Sequence, residues 1–350
     1  MTAKLNKIKY VCPLCKTDLI EKETSFLCKA CDKLWPLEYG IPKFAESELQ
    51  YSVFSSDITD KVTELAERTT WQNAVDTYAA TIGAYTYSYI NDESRADFHV
   101  LLPLGQEATV LDIGSGWGNI AISLSSWCKH IYCGDVSMTN LRLLRSRMRD
   151  RDLHNVSIFQ YEPNSFLRLP FPDASVDIVL LNGVLEWMGA AVINVSPARI
   201  QLEALKEIRR VLKPEGVIYI GIENRYSEST LRGQRIHGEL PFVGLLPRII
   251  SNIITKIVMG QGHRTYIYTM AGYRKLLSRA GYKKIDFYIP YPSYHYPNYM
   301  IPLEPSWVKR FWVEQLSVSR SKKYQLFKSL GFSRLPFHWL AYSFGIRCVK

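Results

Sequence analysis

The chain has no long uninterrupted apolar run. Its longest apolar region, Leu240 to Met259, is broken by Pro241, Pro247, Arg248 and Lys256, which makes it a poor membrane span. Met1 to Lys9 is polar and basic with no apolar core behind it, so no secretory leader is expected and the expected location is cytoplasmic. Internal repeats and low-complexity stretches are missing too. Acidic residues are in short supply, 33 against 43 Lys and Arg, for a net charge of +10. Such an excess can serve nucleic acid or a membrane surface. Residues 305–350 hold nine Lys/Arg against the single acid Glu314, and Arg142, Arg145, Arg147, Arg149 and Arg151 form a second cluster. For both, a solvated helical face is favoured over an anionic partner. With 47% hydrophobic and 22% charged residues the composition excludes a disordered chain. A length of 350 residues allows one large core and a small extra module.

The most informative segment is Val110-Leu111-Asp112-Ile113-Gly114-Ser115-Gly116-Trp117-Gly118. It reads as a buried strand that breaks into a glycine turn and enters a helix over Asn119 to Trp127. Glycines at 114, 116 and 118 let bare backbone approach a ligand, and the helix start offers free N–H groups. A second strand, His130 to Gly134, ends in Asp135 and Val136, about twenty residues past the turn, where nucleotide-binding folds place a carboxylate for ribose hydroxyls. A third strand, Val156 to Phe159, leads to Glu162. Leu169-Pro170-Phe171-Pro172-Asp173 precedes a fourth strand, Ile178 to Leu181, ending at Asn182. Leu212-Lys213-Pro214-Glu215-Gly216 announces a fifth, Val217 to Ile222. Strands alternating with helical stretches mean a parallel sheet covered on both faces.

On these motifs, residues 100–350 resemble class I S-adenosylmethionine (SAM) methyltransferases. The resemblance implies an α/β fold with a seven-stranded Rossmann-like sheet, mostly parallel, whose last strand, Phe344 to Val349, runs antiparallel. It implies SAM as cofactor, held by Asp112, Gly114, Ser115, Gly116, Gly118, Asp135, Val136, Glu162 and Asn182. In that scheme Asp112 approaches the amino-acid part of SAM, Asp135 the ribose, Glu162 the adenine amino group, and Asn182 the methionine moiety. Pro163 departs from the pattern, because it has no N–H to offer the adenine ring.

Cys12, Cys15, Cys28 and Cys31 form C-x2-C-x12-C-x2-C, two knuckles at zinc-ribbon spacing. Four thiolates close a tetrahedral site with no open position, which points to a structural Zn2+, and disulfides are the lesser alternative. With the following Leu34 to Phe44, residues 1–45 resemble the small zinc-ribbon activator subunit of several methyltransferases, here fused to the chain. Residues 46–99 are expected to be a helical linker or cap over the SAM pocket. Its tyrosines, Tyr78, Tyr85, Tyr87 and Tyr89, either line that pocket or pack in a core. Cys128, Cys133 and Cys348 sit in apolar sequence and are expected to be inert.

Methyl transfer to a hydroxyl needs a base, and Glu186, Glu223 and His237 are the candidates, all at or beyond the carboxyl edge of the sheet. Residues 223–300 form the acceptor-site insertion. Its runs Ile222-Glu223-Asn224-Arg225, Arg264-Thr265-Tyr266 and Tyr291-Pro292-Ser293-Tyr294-His295-Tyr296-Pro297 resemble methyltransferases associated with bacterial surface-polysaccharide clusters. That resemblance implies a hydroxyl of a small molecule or glycan as acceptor, with Tyr291, Tyr294 and Tyr296 suited to stacking on a sugar. The alternative is an RNA or protein methyltransferase that uses the basic surface and the ribbon. Ile249, Ile250, Ile253, Ile254, Ile257 and Val258 recur at helical spacing. They are expected to pack a lid helix on the core, with peripheral membrane contact as the sharper alternative.

Overall fold

The computed structural model describes residues 7–47, 56–163, 166–192, 194–235, 237, 240–260, 262–304 and 340–350. Most of the basic run predicted over 305–350 therefore lies outside the described residues. In chain order the strands and α-helices begin with β1 (Ile20–Glu21), β2 (Ser25–Cys28), β3 (Lys33–Glu38) and β4 (Ile41–Phe44). There follow α1 (Ser56–Arg68), α2 (Trp71–Thr77), α3 (Ala79–Ile82), α4 (Ala84–Asn91), β5 (Gly105–Ile113) and α5 (Asn119–Leu124). Next come β6 (Cys128–Asp135), α6 (Met138–Asp150), β7 (Val156–Tyr161), β8 (Val176–Asn182), α7 (Pro197–Val211) and β9 (Leu212–Glu223). The rest are α8 (Glu228–Leu231), α9 (Arg248–Met259), α10 (Met270–Arg279), β10 (Lys283–Ser293), β11 (Tyr296–Pro302) and β12 (Ser343–Val349).

The chain forms two compact units. One holds residues 1–181 with 203–218 and Lys350, and the other holds 182–202 with 219–349. In the first, the strands lie in the order β1-β2-β3-β4-β7-β6-β5-β8. Val110 to Ile113 of β5, Ile131 to Asp135 of β6 and Ile178 to Leu181 of β8 are buried without alternation. Such continuous burial is the mark of parallel strands covered on both faces, and β5 pairs in parallel with both β6 and β8. In the second unit β10 pairs antiparallel with both β11 and β12. The predicted antiparallel last strand is present.

Twelve strands are described where seven were expected. Part of the surplus comes from the N-terminal module. Its β4 joins the edge of β7 in parallel, Phe44 opposite Tyr161, and so covers backbone groups that an open edge would leave exposed. Aromatic packing seals the join: the Tyr10 ring lies 5.2 Å from Phe44 and 5.6 Å from Phe171. The N-terminal module is built onto the first unit's sheet.

Two readings from charge and periodicity are corrected here. The arginine cluster is only partly a solvated face: Arg149 and Arg151 are exposed, but Arg142 grips Glu67 through two nitrogens, at 3.0 and 2.6 Å. Arg149 donates to the carbonyls that end α1, Ala66 and Thr69 among them. Arg147 is 2% exposed, bonded to Trp117 O and Asn119 Oδ1, and burial lowers its pKa to about 9. These cations staple α6 to the preceding helices. The isoleucines of α9 do not pack on the core either: Ile249, Ile253 and Ile257 are exposed, while Ser251 and Thr255 face inward. Ser251 Oγ donates to Val243 O at 2.7 Å, so the polar side of the helix is the anchored one. Among the described residues no helix is long and apolar enough to cross a membrane.

Candidate functional site

The glycine turn is held by its neighbours' backbone. The N–H groups of Gly114 and Ser115 both donate to Gly134 O, at 2.7 and 3.1 Å. Gly116 N donates to Asp135 Oδ2 at 2.8 Å, and Asp135 Oδ1 accepts from Ser137 N at 2.9 Å and from Asn140 Nδ2 at 3.3 Å. Asn140 in turn accepts from Trp117 Nε1 at 3.0 Å. Gly118 has φ +80°, and a Cβ there would stand 2.1 Å from Leu144 Cδ1, so both backbone conformation and space demand glycine. Burial raises the pKa of Asp135, against the pull of its three donors. Asp112 is 3% exposed, and burial, then the neighbouring Asp135, raises its pKa to about 7.

The remaining predicted cofactor residues divide. Among the described residues, Ser115 Oγ and both amide atoms of Asn182 are buried with no hydrogen-bond partner. Val136 O accepts from Gln160 Nε2 at 2.9 Å. The Glu162 carboxylate accepts from the backbone N–H of Glu46 and Ser47, at 2.8 and 3.1 Å, and from the Ser47 hydroxyl. Tyr78, Tyr87 and Tyr89 pack against a core cluster that includes Trp71, Ile90 and Trp117, while Tyr85 is exposed.

The three candidate acid–base residues belong to the second unit and meet there. Glu186 sits in a single 3-10 turn, Leu185–Trp187, just after β8. Glu223 ends β9, and His237 lies in the insertion at φ +54°. Their ligand atoms all fall within 4.8 Å of one another. Tyr294 donates its hydroxyl to Glu223 Oε1 at 2.9 Å, and Tyr273 donates to the Glu223 carbonyl at 3.0 Å. His237 Nε2 is 3.5 Å from Glu223 Oε2, an ion-pair distance longer than a tight hydrogen bond. Against the upward push of burial, the His237 imidazole holds the Glu223 carboxyl below its ordinary value. Glu186 is 0% exposed, among the described residues neither of its oxygens has a hydrogen-bond partner, and burial, then Glu223, raises its pKa to about 8.

Sequence reasoning missed the supports of this cluster. Tyr294 was suited to stacking on a sugar; it is instead 2% exposed and bonded to Glu223. Gln201, fully buried on α7, donates to Leu185 O and Tyr266 O, both at 2.8 Å, and so fixes the turn that carries Glu186. A helical glutamine leaves no signal of such a role. The run of tyrosines and prolines around Tyr294 did mark a dense region.

In the N-terminal module the four sulfurs of Cys12, Cys15, Cys28 and Cys31 also lie within 4.8 Å of one another, and all four thiols are free. Lys16 N donates to Cys12 O at 2.8 Å, closing the first knuckle. Four converging thiols suit a tetrahedral ion. Cys128, Cys133 and Cys348 are buried, as expected.

Residues 111–220 match a protein family described as a methyltransferase domain. Residues 111–220 are thus a SAM-dependent methyltransferase domain. Among curated proteins, the chain is 29% identical over 182 residues to tRNA N(3)-cytidine methyltransferase METTL2 of Gallus gallus, covering 51% of this chain and 43% of that one. It is 31% identical over 151 residues to trans-aconitate 2-methyltransferase of Azoarcus sp., covering 42% and 52%. The chain thus spans about half the length of the curated relatives it matches. A solved complex of the Haloferax volcanii Trm112 methyltransferase activator and a methyltransferase overlays with a TM-score of 0.42 at 16% identity, covering 83% of this chain and 97% of that one.

Proposed function

We propose that this protein transfers the methyl group of SAM to an RNA base. The observation that carries this reading is the family of relatives: tRNA N(3)-cytidine methyltransferases recur among them, from Gallus gallus, Mus musculus and Homo sapiens. A net charge of +10 agrees with a polyanionic acceptor. A ring nitrogen attacks with its own lone pair: the S–CH3 bond breaks, the N–CH3 bond forms, and S-adenosylhomocysteine leaves. In this scheme Asp112, the turn from Gly114 to Gly118, Asp135, Val136, Glu162 and Asn182 hold SAM. Glu186, Glu223 and His237 serve the acceptor. Zn2+ at Cys12, Cys15, Cys28 and Cys31 stabilises the N-terminal module, and purified protein with no zinc would remove that assignment.

A second reading, transfer to a hydroxyl of a small molecule or glycan, is favoured by the Glu223–His237 pair. A hydroxyl must lose its proton on attack, and a carboxylate-supported imidazole can take it. Incubation with methyl-tritiated SAM and bulk tRNA separates the two. We expect label in the RNA that nuclease digestion returns as a methylated nucleoside. RNA left unlabelled while hydroxylated small molecules are labelled would transfer the conclusion to the second reading.

A further inference from the structure

We propose that Glu186, Glu223 and His237 form a divalent-metal site, separate from the four cysteines. One oxygen from each carboxylate and one imidazole nitrogen lie within 4.8 Å of one another. That spacing lets all three reach a single ion at about 2.0–2.4 Å. The residues come from three distant stretches, a turn after β8, the end of β9 and the insertion, so no helical repeat accounts for their convergence.

The second observation is the state of Glu186. It is completely buried, and among the described residues neither carboxylate oxygen has a hydrogen-bond partner. Two buried carboxylates this close are costly, and one imidazole cannot offset both. A cation satisfies both oxygens at once.

The donor set says which cation. Two carboxylate oxygens and one imidazole, with no thiolate, suit Mn2+, Fe2+ or Zn2+; Mg2+ and Ca2+ prefer oxygen throughout. The site is also braced as metal ligands are: Tyr294 holds Glu223 Oε1, and the Trp187 ring lies 4.6 Å from the His237 ring. Three protein donors leave coordination positions open, which water or an oxygen of the methyl acceptor can occupy. That last role rests on the methyltransferase reading; the metal binding does not.

The test is a Mn2+ titration of the full chain with its cysteine site zinc-loaded, following the paramagnetic resonance signal of free Mn2+. SAM binding is measured by calorimetry on the same samples. We expect one Mn2+ per chain, with Glu186→Gln and Glu223→Gln each weakening binding by more than about tenfold. Wild-type protein that leaves the Mn2+ signal as in buffer overturns the site, and SAM binding in that sample shows that the methyltransferase reading survives it. Mn2+ binding undiminished in both variants overturns it equally. Should either variant misfold, His237→Asn supplies the same comparison, since asparagine tolerates the positive φ. Mn2+ bound by protein that does not bind SAM supports the site while ending the cofactor assignment.

Discussion

Asp135 and Glu186 are both buried carboxyl groups at the ends of parallel strands, and their surroundings are opposite. Asp135 accepts from Gly116 N, Ser137 N and Asn140 Nδ2, so the protein itself satisfies it and it in turn shapes the glycine turn. Glu186 has no such donors. A buried carboxylate with several backbone donors is a structural device that can also meet a ligand. One with none is held in place by packing, and its energy depends on what binds. Glu223 lies between the two cases, with Tyr294 on one oxygen and His237 near the other.

The comparison can be broken most forcefully at Asp135. Asp135→Ala removes three hydrogen bonds, and we expect SAM affinity to fall by roughly 2–3 kcal/mol, more than thirtyfold, in calorimetry. Unchanged affinity would show that the turn keeps its shape without the carboxylate. A smaller loss is expected at Gly118, where alanine meets both a positive φ and Leu144: about 1–3 kcal/mol of stability, read as a lowered Tm. On the unsatisfied side, Tyr294→Phe deletes the bond to Glu223 and should cost about 1 kcal/mol, with methyl transfer reduced more than SAM binding. If the variant instead loses SAM affinity and keeps turnover, the cluster does not serve the acceptor.

The mildest effect is in the pH profile. Asp112 is held near 7 by burial and by Asp135, so the folded chain keeps a proton there that the unfolded chain releases above about 4. Its contribution to ligand-free stability is full below about 4 and is lost as the pH rises through about 7. Tm should therefore decline between about pH 4 and 7, and Asp112→Asn should flatten that decline. A slope unaltered by the substitution would place the titration elsewhere.

Local patterns made part of this legible. The mostly apolar runs before Gly114 and Asp135, alternating with helical stretches, pointed to a sheet buried on both faces, and β5 and β6 follow them to within a few residues. The paired cysteine knuckles likewise signal their own convergence, since only two residues separate the members of each pair. The ion pairs of α6 were hidden because a string of arginines has the same spacing whether it faces water or a neighbouring helix. Glu67 and the carbonyl ends of α1, some eighty positions away, decide which. The same holds for α9: its period showed an apolar side but not the direction that side faces.

The chain's sequence determined the strand–turn–helix at Gly114, the acid at the end of the next strand and the four-thiol cluster, because each depends on neighbours a few residues apart. It also named Glu186, Glu223 and His237 singly. Only the tertiary structure brought those three within 4.8 Å, withheld partners from Glu186 and turned Tyr294 inward. Such contacts join stretches far apart in the chain, and no local pattern encodes which of many buried polar groups will meet.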